Sequence, residues 1–454
     1  MKKLLAFGLS VFMGLAMLLA GCSSNSESSG SAKNSSKDVQ KVVFWTHYTD
    51  DLKFTEQAVA DYNKANAGKV EVELKNVSND TYNNVLLLAL KNNTNAPDIF
   101  ADGISLPQLV GQHYVAPLDD LMSSDMKNRA QNFKAMGANW MEGKWYSLPM
   151  RGYNFRLVYN KDMFKAAGLD PNSPPKTFAE MSEYAKKLTN PDKKQYGFML
   201  PTGESWIWWI YANQPSYASG HSHLDWKTLN YDFSSAKSTL ETYLQMKKDG
   251  SLYPGGTSMK NDPARAQFSA GSVGMMFAAS WDVGVFNDQF PAKNDWGVAP
   301  LPSETGTAQG KTEFNFGSYL MINNNSKVKK AAMNFYEYLL SPDVLKKYYE
   351  EGFGIPVYPG ITDNAKTPSK NGAAGFADIS GDSLYPMEPP TQVEGKGYGD
   401  VYNDIMNGTV SVDKGLADLT KRYNDAVKKG ISSKAFNPDD YKREKFSLQD
   451  PIAK

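Results

Sequence analysis

Tryptophan is the residue type in this chain best suited to binding chemistry, and it occurs nine times. A flat indole stacks on apolar ligand faces, such as the C–H face of a sugar ring, while polar side chains at its edge bind hydroxyl groups. Neighbouring tryptophans point in different directions in a helix or a strand, so part of any dense run faces the core. We predict that Trp206 faces the core, whereas the directions of the Trp208 and Trp209 side chains stay open. The densest run is Trp206-Ile207-Trp208-Trp209-Ile210-Tyr211.

Polar side chains follow the first and third predicted strands. The strands are an apolar run at 42–45, an alternating run at 70–74 and Ile99-Phe100, with helical spacing of apolar residues between them. This alternation indicates an α/β fold. Ligands of open α/β sheets lie beyond the carboxyl ends of the strands, which selects His47, Tyr48 and Asp102 as predicted contacts. The alternative for Asp102 is a turn formed with Gly103.

Other chemistries have weaker support. The lone Cys22 excludes internal disulfides, thiolate zinc sites and iron–sulfur clusters. His221 and His223 beside Asp225 could bind a metal, but an exposed loop is the favoured interpretation. A secreted carbohydrate-active enzyme stays an alternative because 49 acidic residues always supply a carboxylate pair, although no Gly-x-Ser-x-Gly motif occurs. We therefore predict no enzyme activity, no cofactor and no metal.

Composition limits the class of partner and the number of lobes. The 454 residues carry 49 basic and 49 acidic side chains, so the formal net charge is zero and binding to nucleic acid is not expected. A chain of this length exceeds the usual size of one domain, and two lobes are expected. We expect a monomer.

The first 37 residues have the pattern of an export signal followed by a tether. Two lysines precede an apolar stretch at 4–20, and the sequence Leu-Ala-Gly-Cys ending at Cys22 resembles the lipobox of bacterial lipoproteins. The alternative is a signal anchor that stays in the membrane, for which the stretch is short. We predict a signal peptide at 1–21, lipidation at Cys22 and a flexible polar tether at 22–37. The body is then expected at the extracellular face of the cell membrane.

A stretch of 17 residues resembles the signature of a known family. It is Pro149-Met150-Arg151-Gly152-Tyr153-Asn154-Phe155-Arg156-Leu157-Val158-Tyr159-Asn160-Lys161-Asp162-Met163-Phe164-Lys165. Three further segments occur in the order expected of that family: Gly143 to Pro149 before this stretch, and Ser280-Trp281 and Trp296 to Pro302 after it. The chain resembles the carbohydrate-type extracellular solute-binding proteins of ABC importers, which are related to maltose-binding protein. Arg151 and Arg156 depart from the signature, which suggests an unusual pocket polarity.

The resemblance implies a two-lobed, periplasmic-binding-protein-like α/β fold that closes over its ligand by a hinge motion. Strands would cross between the lobes near 150–154, 314–317 and 354–357. The predicted N-lobe is 38–150 with 318–355, and the C-lobe is 151–317 with 356–454. The implied function is a receptor that binds a carbohydrate, in particular an oligosaccharide, and delivers it to the transmembrane subunits of an ABC permease. The alternative is the same fold with a peptide, polyamine or metal as ligand.

The resemblance also selects residues at the cleft. It favours one of Trp208 and Trp209 as a stacking platform and makes Trp281 a sugar contact. Asp282 is a predicted contact with a helix N-cap as the alternative. Two more predicted contacts, Arg151 and Tyr153, lie at the first crossing point. The guanidinium of Arg151 could bind a carboxylate or paired hydroxyls, and its alternative is an ion pair between the lobes.

Overall fold

The computed structural model describes residues 39–133, 139–317 and 319–453. The predicted signal peptide, the lipidation site Cys22 and the tether lie outside the described residues. Within these described ranges, no helix is both long and apolar enough to cross a membrane.

The first lobe is built on a four-stranded sheet. Strands Gln40–Thr46, Val70–Asn76 and Ile99–Ala101 are parallel, and Leu320–Ile322 pairs antiparallel at the edge. Helices Leu52–Ala65 and Asn79–Asn92 connect the parallel strands. The predicted order of strand, helix, strand, helix, strand is confirmed, and it places residues 47–50 and 102 at the same edge of the sheet.

The second lobe has its own four-stranded sheet. Its strands lie in the order Trp296–Ala299, Phe155–Asn160, Val273–Ala279 and Tyr196–Phe198. Strand 273–279 is an unbroken apolar run, and every one of its residues is buried. A strand covered on both faces needs this continuous apolar pattern, which explains why no polar alternation appears in the sequence there.

A three-stranded antiparallel sheet links the two lobes. Arg151–Tyr153 lies at its centre, between Asn315–Gly317 and Ile355–Pro356. A Cβ at Gly152 would lie 2.0 Å from the ring of Phe314, so a larger residue here would require that ring to move. The chain thus crosses between the lobes three times, and the fold is the two-lobed α/β architecture expected from the sequence.

The remaining elements cover the sheets. The capping box at the start of helix 178–188 is confirmed, with Thr177 and Glu180 exchanging hydrogen bonds. Two-residue strand pairs are 140–141 with 144–145, 224–225 with 230–231, and 312–313 with 382–383. The short 3₁₀ turns are 131–133, 191–193, 205–207, 233–236, 256–258 and 438–440, and the π turns are 209–213 and 285–289. The other helices are Leu106–Gly111, Ser124–Ala130, Lys161–Ala166, Phe178–Leu188, Gln214–Ala218, Lys237–Lys248, Asn261–Ser269, Asp282–Gly284, Lys329–Leu339, Pro342–Glu350, Ala373–Ala377, Tyr398–Met406 and Val412–Ser432.

Each sheet has a separate hydrophobic core. Buried residues from 42–150 and 320–361 form the first core. The second sheet carries two clusters, and each of them includes residues from 155–301 and from 373–446. Tyr358 and Ile361 pack in the first core, although the predicted lobe division assigns residues after 355 to the other lobe. The division into 38–150 with 318–355 and 151–317 with 356–454 stays a prediction.

A buried ion pair attaches the long irregular segment after residue 362 to the second sheet. Arg156 points out of strand 155–160 and binds both oxygens of Asp382 at 2.6 and 2.9 Å. The side chain of Asp382 is fully buried and also accepts hydrogen bonds from Asn154 and Thr312. The unusual arginine at 156 therefore serves the packing of the second lobe, and its departure from the family signature does not affect pocket polarity.

Candidate ligand-binding site

The structure brings His47, Tyr48 and Asp102 together at the carboxyl edge of the first sheet. The hydroxyl of Tyr48 donates to the carboxylate of Asp102, and Nε2 of His47 lies 2.7 Å from the carbonyl oxygen of Asp102. The His47 ring packs against Tyr48 and Tyr82, with centroids 4.5 Å apart in both cases. Burial raises the pKa of Asp102 to about 7 and lowers that of His47. This group offers a carboxylate, a phenol and an imidazole to a polar ligand.

An aromatic cluster of Tyr153, Phe155, Trp209 and Trp281 lies on the second lobe beside the crossing strand. Tyr153 meets Trp281 edge to face at 4.9 Å, and Phe155 meets Trp209 at 4.8 Å. Three of these rings, those of Tyr153, Trp209 and Trp281, are only partly buried. Because Tyr153 belongs to the central crossing strand, the aromatic cluster lies next to the hinge.

Tyr153 connects the aromatic cluster to the polar group on the first lobe. Burial raises the pKa of Tyr153, and the negative charges of Glu313 and Asp102 add to the effect. Arg151, on the same crossing strand as Tyr153, lies over the ring of Tyr48 at 5.7 Å, so both groups adjoin this strand. His47, Tyr48, Asp102, Tyr153, Trp209 and Trp281 are thus placed where a ligand between the lobes would meet them, and their role as contacts stays a prediction.

The predictions for Trp206 and Trp208 need correction. Trp208 is fully buried, its Nε1–H donates to Asn403 at 2.9 Å, and its ring packs on Tyr402. It is a core residue of the second lobe and is not placed to contact a ligand. Trp206 was expected in the core but is 46% exposed. A 3₁₀ turn at 205–207 runs directly into a π turn at 209–213, and this change of winding sets which indole faces inward.

Arg151, on the crossing strand, forms a buried ion pair with the first lobe, and its alternative interpretation as an ion pair between the lobes stays a prediction. Its guanidinium lies 2.5 Å from Asp50 and 3.6 Å from Asp51 on the first lobe, and it donates to the hydroxyl of Tyr348 at 2.9 Å. Arg151 is buried, and its Nη1 also lies 3.3 Å from the carbonyl oxygen of Phe353. Burial raises the pKa of Asp51 to about 6 against the opposing charge of Arg151. The prediction that Arg151 binds an acidic sugar is not supported by this arrangement.

Asp282 is likewise engaged inside the protein. It is buried, accepts a hydrogen bond from the backbone N–H of Ala279 at 2.9 Å, and lies 2.6 Å from the guanidinium of Arg265. The carboxylate is buried against Arg265, so the prediction of Asp282 as a contact is corrected to a structural role. It orients the turn that carries Trp281.

The two lobes touch across the cleft in this structure. A Cβ on Gly284 would lie 2.0 Å from the backbone oxygen of Asp50, so only glycine permits this approach. Thr49 lies within hydrogen-bond distance of Gln289, at 3.0 Å, and Lys260 lies 3.5 Å from Asp80. These contacts describe a closed arrangement of the lobes.

Two groups were missed by sequence reasoning. Glu313 lies in the aromatic cluster, where it accepts hydrogen bonds from Trp209, Gln214 and Asn315. Burial raises its pKa to about 7. The exposed Trp206 is the second. No local pattern marks Glu313, whereas the tryptophan run did mark Trp206 but could not give its direction.

The two histidines considered for a metal have separate protein partners. His223 is buried 2.7 Å from Glu388, whereas His221 lies 3.3 Å from Glu304 near the surface. The described residues include no group of three His, Cys, Asp or Glu side chains placed to hold a metal ion. The prediction of an exposed loop holds for His221 and is wrong for His223.

The ion pair of His223 predicts a pH-dependent stability. Burial opposes the charge on His223, but Glu388 outweighs it and raises the pKa of His223 above its usual value. The pair therefore stabilises the fold fully below about pH 6.5, and this contribution is lost as pH rises through the pKa of the folded protein. We expect Glu388→Gln to lower the unfolding free energy by roughly 1 kcal/mol at pH 5.5, after allowing for solvent screening of the exposed Glu388, and by less at pH 8.5.

Urea unfolding at several pH values measures this difference. Glu304→Gln, which removes the partner of the exposed His221, is the matched control and is expected to leave stability unchanged across the range. An equal loss at pH 5.5 and 8.5 for Glu388→Gln would contradict the ion-pair explanation.

The fold and the cleft define a two-lobed binding protein, and comparison with protein families gives its class. The family model of bacterial extracellular solute-binding proteins matches residues 45–346, about two thirds of the chain. The chain belongs to this family, as the resemblance of residues 149–165 implied. A binding protein of Brucella abortus (strain 2308) is 29% identical over 262 residues, 56% of this chain and 60% of that protein.

A second relative binds a named solute. The sn-glycerol-3-phosphate-binding periplasmic protein UgpB of Agrobacterium fabrum (strain C58 / ATCC 33970) is 25% identical over 265 residues, 55% of this chain and 57% of the relative. The chain thus matches less than two thirds of the length of these curated relatives.

Solved structures share the fold. The maltose/maltodextrin-binding domain MalE from Bdellovibrio bacteriovorus, bound to maltotriose, has a TM-score of 0.65 at 19% identity, covering 86% of this chain and 100% of that one. The ABC substrate-binding protein Lmo0181 from Listeria monocytogenes, in complex with cycloalternan, has a TM-score of 0.66 at 19% identity, with the same coverage.

Proposed function

We propose that this protein is a receptor that binds a carbohydrate, in particular an oligosaccharide, between its lobes and delivers it to the transmembrane subunits of an ABC importer. The observation that carries the proposal is the aromatic cluster beside the hinge, in which the rings of Tyr153, Trp209 and Trp281 are only partly buried. Rings supply stacking surfaces for sugar C–H faces, and Asp102, His47 and Tyr48 supply partners for hydroxyl groups.

The proposed mechanism is capture by lobe closure, without catalysis. A ligand shifts the population toward the closed form only if it binds that form more tightly than the open one. Because the polar group lies on the first lobe and the aromatic cluster on the second, a ligand touching both satisfies this condition. Two or three stacked rings and several hydrogen bonds would suffice for micromolar affinity, about −8 kcal/mol.

The structural neighbours support an oligosaccharide. Proteins of the same fold bind maltotriose and cycloalternan. The favoured second candidate is a glycerol phosphate, because the relative UgpB binds sn-glycerol-3-phosphate.

The anchoring of the receptor is part of the same proposal. We infer that residues 1–21 are removed, that Cys22 carries a lipid, and that 22–37 tethers the body to the extracellular face of the membrane as a monomer. The supporting observation is the Leu-Ala-Gly-Cys sequence after an apolar stretch.

A thermal-shift screen of residues 38–454, followed by small-angle scattering, tests the function. We expect saturable stabilisation by one oligosaccharide series, with a smaller radius of gyration in its presence. Neutral sugars, uronates, sn-glycerol-3-phosphate, short peptides and polyamines form the panel. Stabilisation by a non-sugar alone would overturn the carbohydrate proposal and keep the receptor class.

A further inference from the structure

The carboxylate of Glu313 is built into the aromatic cluster. Glu313 is buried and stands two residues before the crossing strand 315–317. Its backbone N–H donates to the side-chain oxygen of Gln214 at 2.9 Å, so the position of its main chain is fixed from the same helix that follows Trp209.

One oxygen of Glu313 collects three donors. Oε2 accepts from the indole Nε1–H of Trp209, from Gln214 at 2.8 Å and from Asn315 at 3.2 Å. All three donors are neutral groups, so no formal charge from them offsets the carboxylate. A hydrogen bond to an ionised acceptor is about twice as strong as a neutral one, which makes the bond from Trp209 sensitive to the charge of Glu313.

The indole of Trp209 is held at two edges. Phe155 meets its ring at 4.8 Å with the planes 79° apart, and Tyr153 meets it at 6.0 Å and 89°. The hydrogen bond from Nε1–H of Trp209 to Glu313 restricts rotation of the indole ring, which these two contacts leave open. Trp209 is only partly buried, so packing alone does not enclose it.

We propose that Glu313 is a positioning residue: its ionised carboxylate holds the indole of Trp209 in the orientation that the ligand meets, and it ties that ring to the strand that crosses between the lobes. The proposal rests on the proposed function, since it takes Trp209 as part of the binding surface.

Charge at Glu313 has opposite effects on stability and on the indole bond. Burial is the largest cause that raises the pKa of Glu313 to about 7, with Glu388 raising it further and His223 lowering it. Tyrosines 153, 217, 385 and 398 also lie close enough for Glu313 to raise their pKa values. A raised carboxyl pKa means that the fold loses stability as pH rises from the usual value toward 7, while the bond from Trp209 gains strength.

The first test needs no ligand. In protein labelled with ¹⁵N-tryptophan, the indole N–H signal of Trp209, assigned with Trp209→Phe, is expected to titrate with a midpoint near pH 7. Glu313→Gln is expected to abolish the titration and to speed hydrogen exchange of that indole several-fold at pH 8. His223→Gln is the control for the neighbouring histidine and is expected to shift the midpoint without abolishing it. An indole signal of Trp209 that is independent of pH, or unchanged in Glu313→Gln, would overturn the proposal.

The second test uses the oligosaccharide identified by the thermal-shift screen. Between pH 6 and pH 8 the wild-type affinity is expected to rise about five-fold. Glu313→Gln is expected to lose the part of this rise that Glu313 supplies, whereas Asp102, whose pKa is also raised to about 7, still titrates in the variant. The melting temperature of the variant at pH 8 is expected to equal or exceed that of the wild type. Glu241→Gln, an exposed glutamate on helix 237–248, is the matched control and keeps the wild-type profile. A wild-type protein that binds no sugar contradicts the proposed function and leaves the indole titration as the test of Glu313. A Glu313→Gln protein that keeps the wild-type pH profile contradicts the positioning role.

Discussion

Arg156→Ala is expected to lower the unfolding free energy of the second lobe by roughly 3–5 kcal/mol, since breaking a buried ion pair leaves the other charge uncompensated. Asp382, its partner, has no exposed side-chain surface. Asn154 and Thr312 still reach Asp382, but neutral donors cannot replace the two bonds from the guanidinium. Because Asp382 also pairs strand 382–383 with 312–313, the loss should loosen the irregular segment as well. Urea unfolding followed by far-ultraviolet circular dichroism measures the effect.

A double variant separates the charge from the packing. Arg156→Met together with Asp382→Leu removes both charges and keeps apolar volume, and we expect it to recover most of the stability lost in Arg156→Ala. Arg129→Ala serves as the control: it breaks an ion pair with the exposed Asp125, a hydrogen bond to the carbonyl oxygen of Leu340 and a cation–π contact with Tyr358. It should cost about 1–2 kcal/mol, less than Arg156→Ala. If Arg156→Ala behaves like Arg129→Ala, the buried pair does not hold the segment.

Elements with a regular apolar pattern could be predicted from the sequence, and partners far apart in the chain could not. The runs at 42–45 and 273–277 gave strands because burial on both faces demands continuous apolar residues. The pairing of Arg156 with Asp382 spans 226 residues, and no local feature of either residue indicates the other. The same holds for Arg151 and Asp50, which are 101 residues apart. A charged residue in a buried strand signals that a partner exists but not where it lies.

The candidate site likewise contains residues whose placement could be predicted from the sequence and residues whose placement could not. His47, Tyr48 and Asp102 could be expected together because parallel strands place their carboxyl ends at one edge of a sheet. The directions of Trp206 and Trp208 could not be expected, since one change from 3₁₀ to π winding reverses which ring is buried. Glu313 carried no signal, because its importance depends on Trp209, 104 residues away.

Trp281→Ala is expected to weaken ligand binding by at least 2 kcal/mol, roughly thirty-fold in Kd, while the unfolding free energy changes by much less than for a core tryptophan. Trp281 is only partly buried, and its closest ring contact is the edge of Tyr153 at 4.9 Å. Removing the indole therefore takes away a stacking surface but leaves no closed cavity. Titration calorimetry with the oligosaccharide found in the screen measures the affinity, and thermal unfolding measures the stability.

Trp208→Ala is the matched comparison, because it removes the same side chain from the same lobe. Trp208 has no exposed surface and packs on Tyr243 and Tyr402, so its truncation is expected to cost about 3–5 kcal/mol of stability. Where Trp208→Ala still folds, its Kd should stay within a few-fold of the wild type. Trp281→Phe should retain part of the affinity that Trp281→Ala loses. If both alanine variants lose stability equally and neither changes the Kd, Trp281 is a core residue and the ligand contacts lie elsewhere in the cleft. If Trp281→Ala loses affinity but little stability, and Trp208→Ala loses stability but little affinity, then the partly buried ring, and not the aromatic content of the lobe as a whole, determines binding.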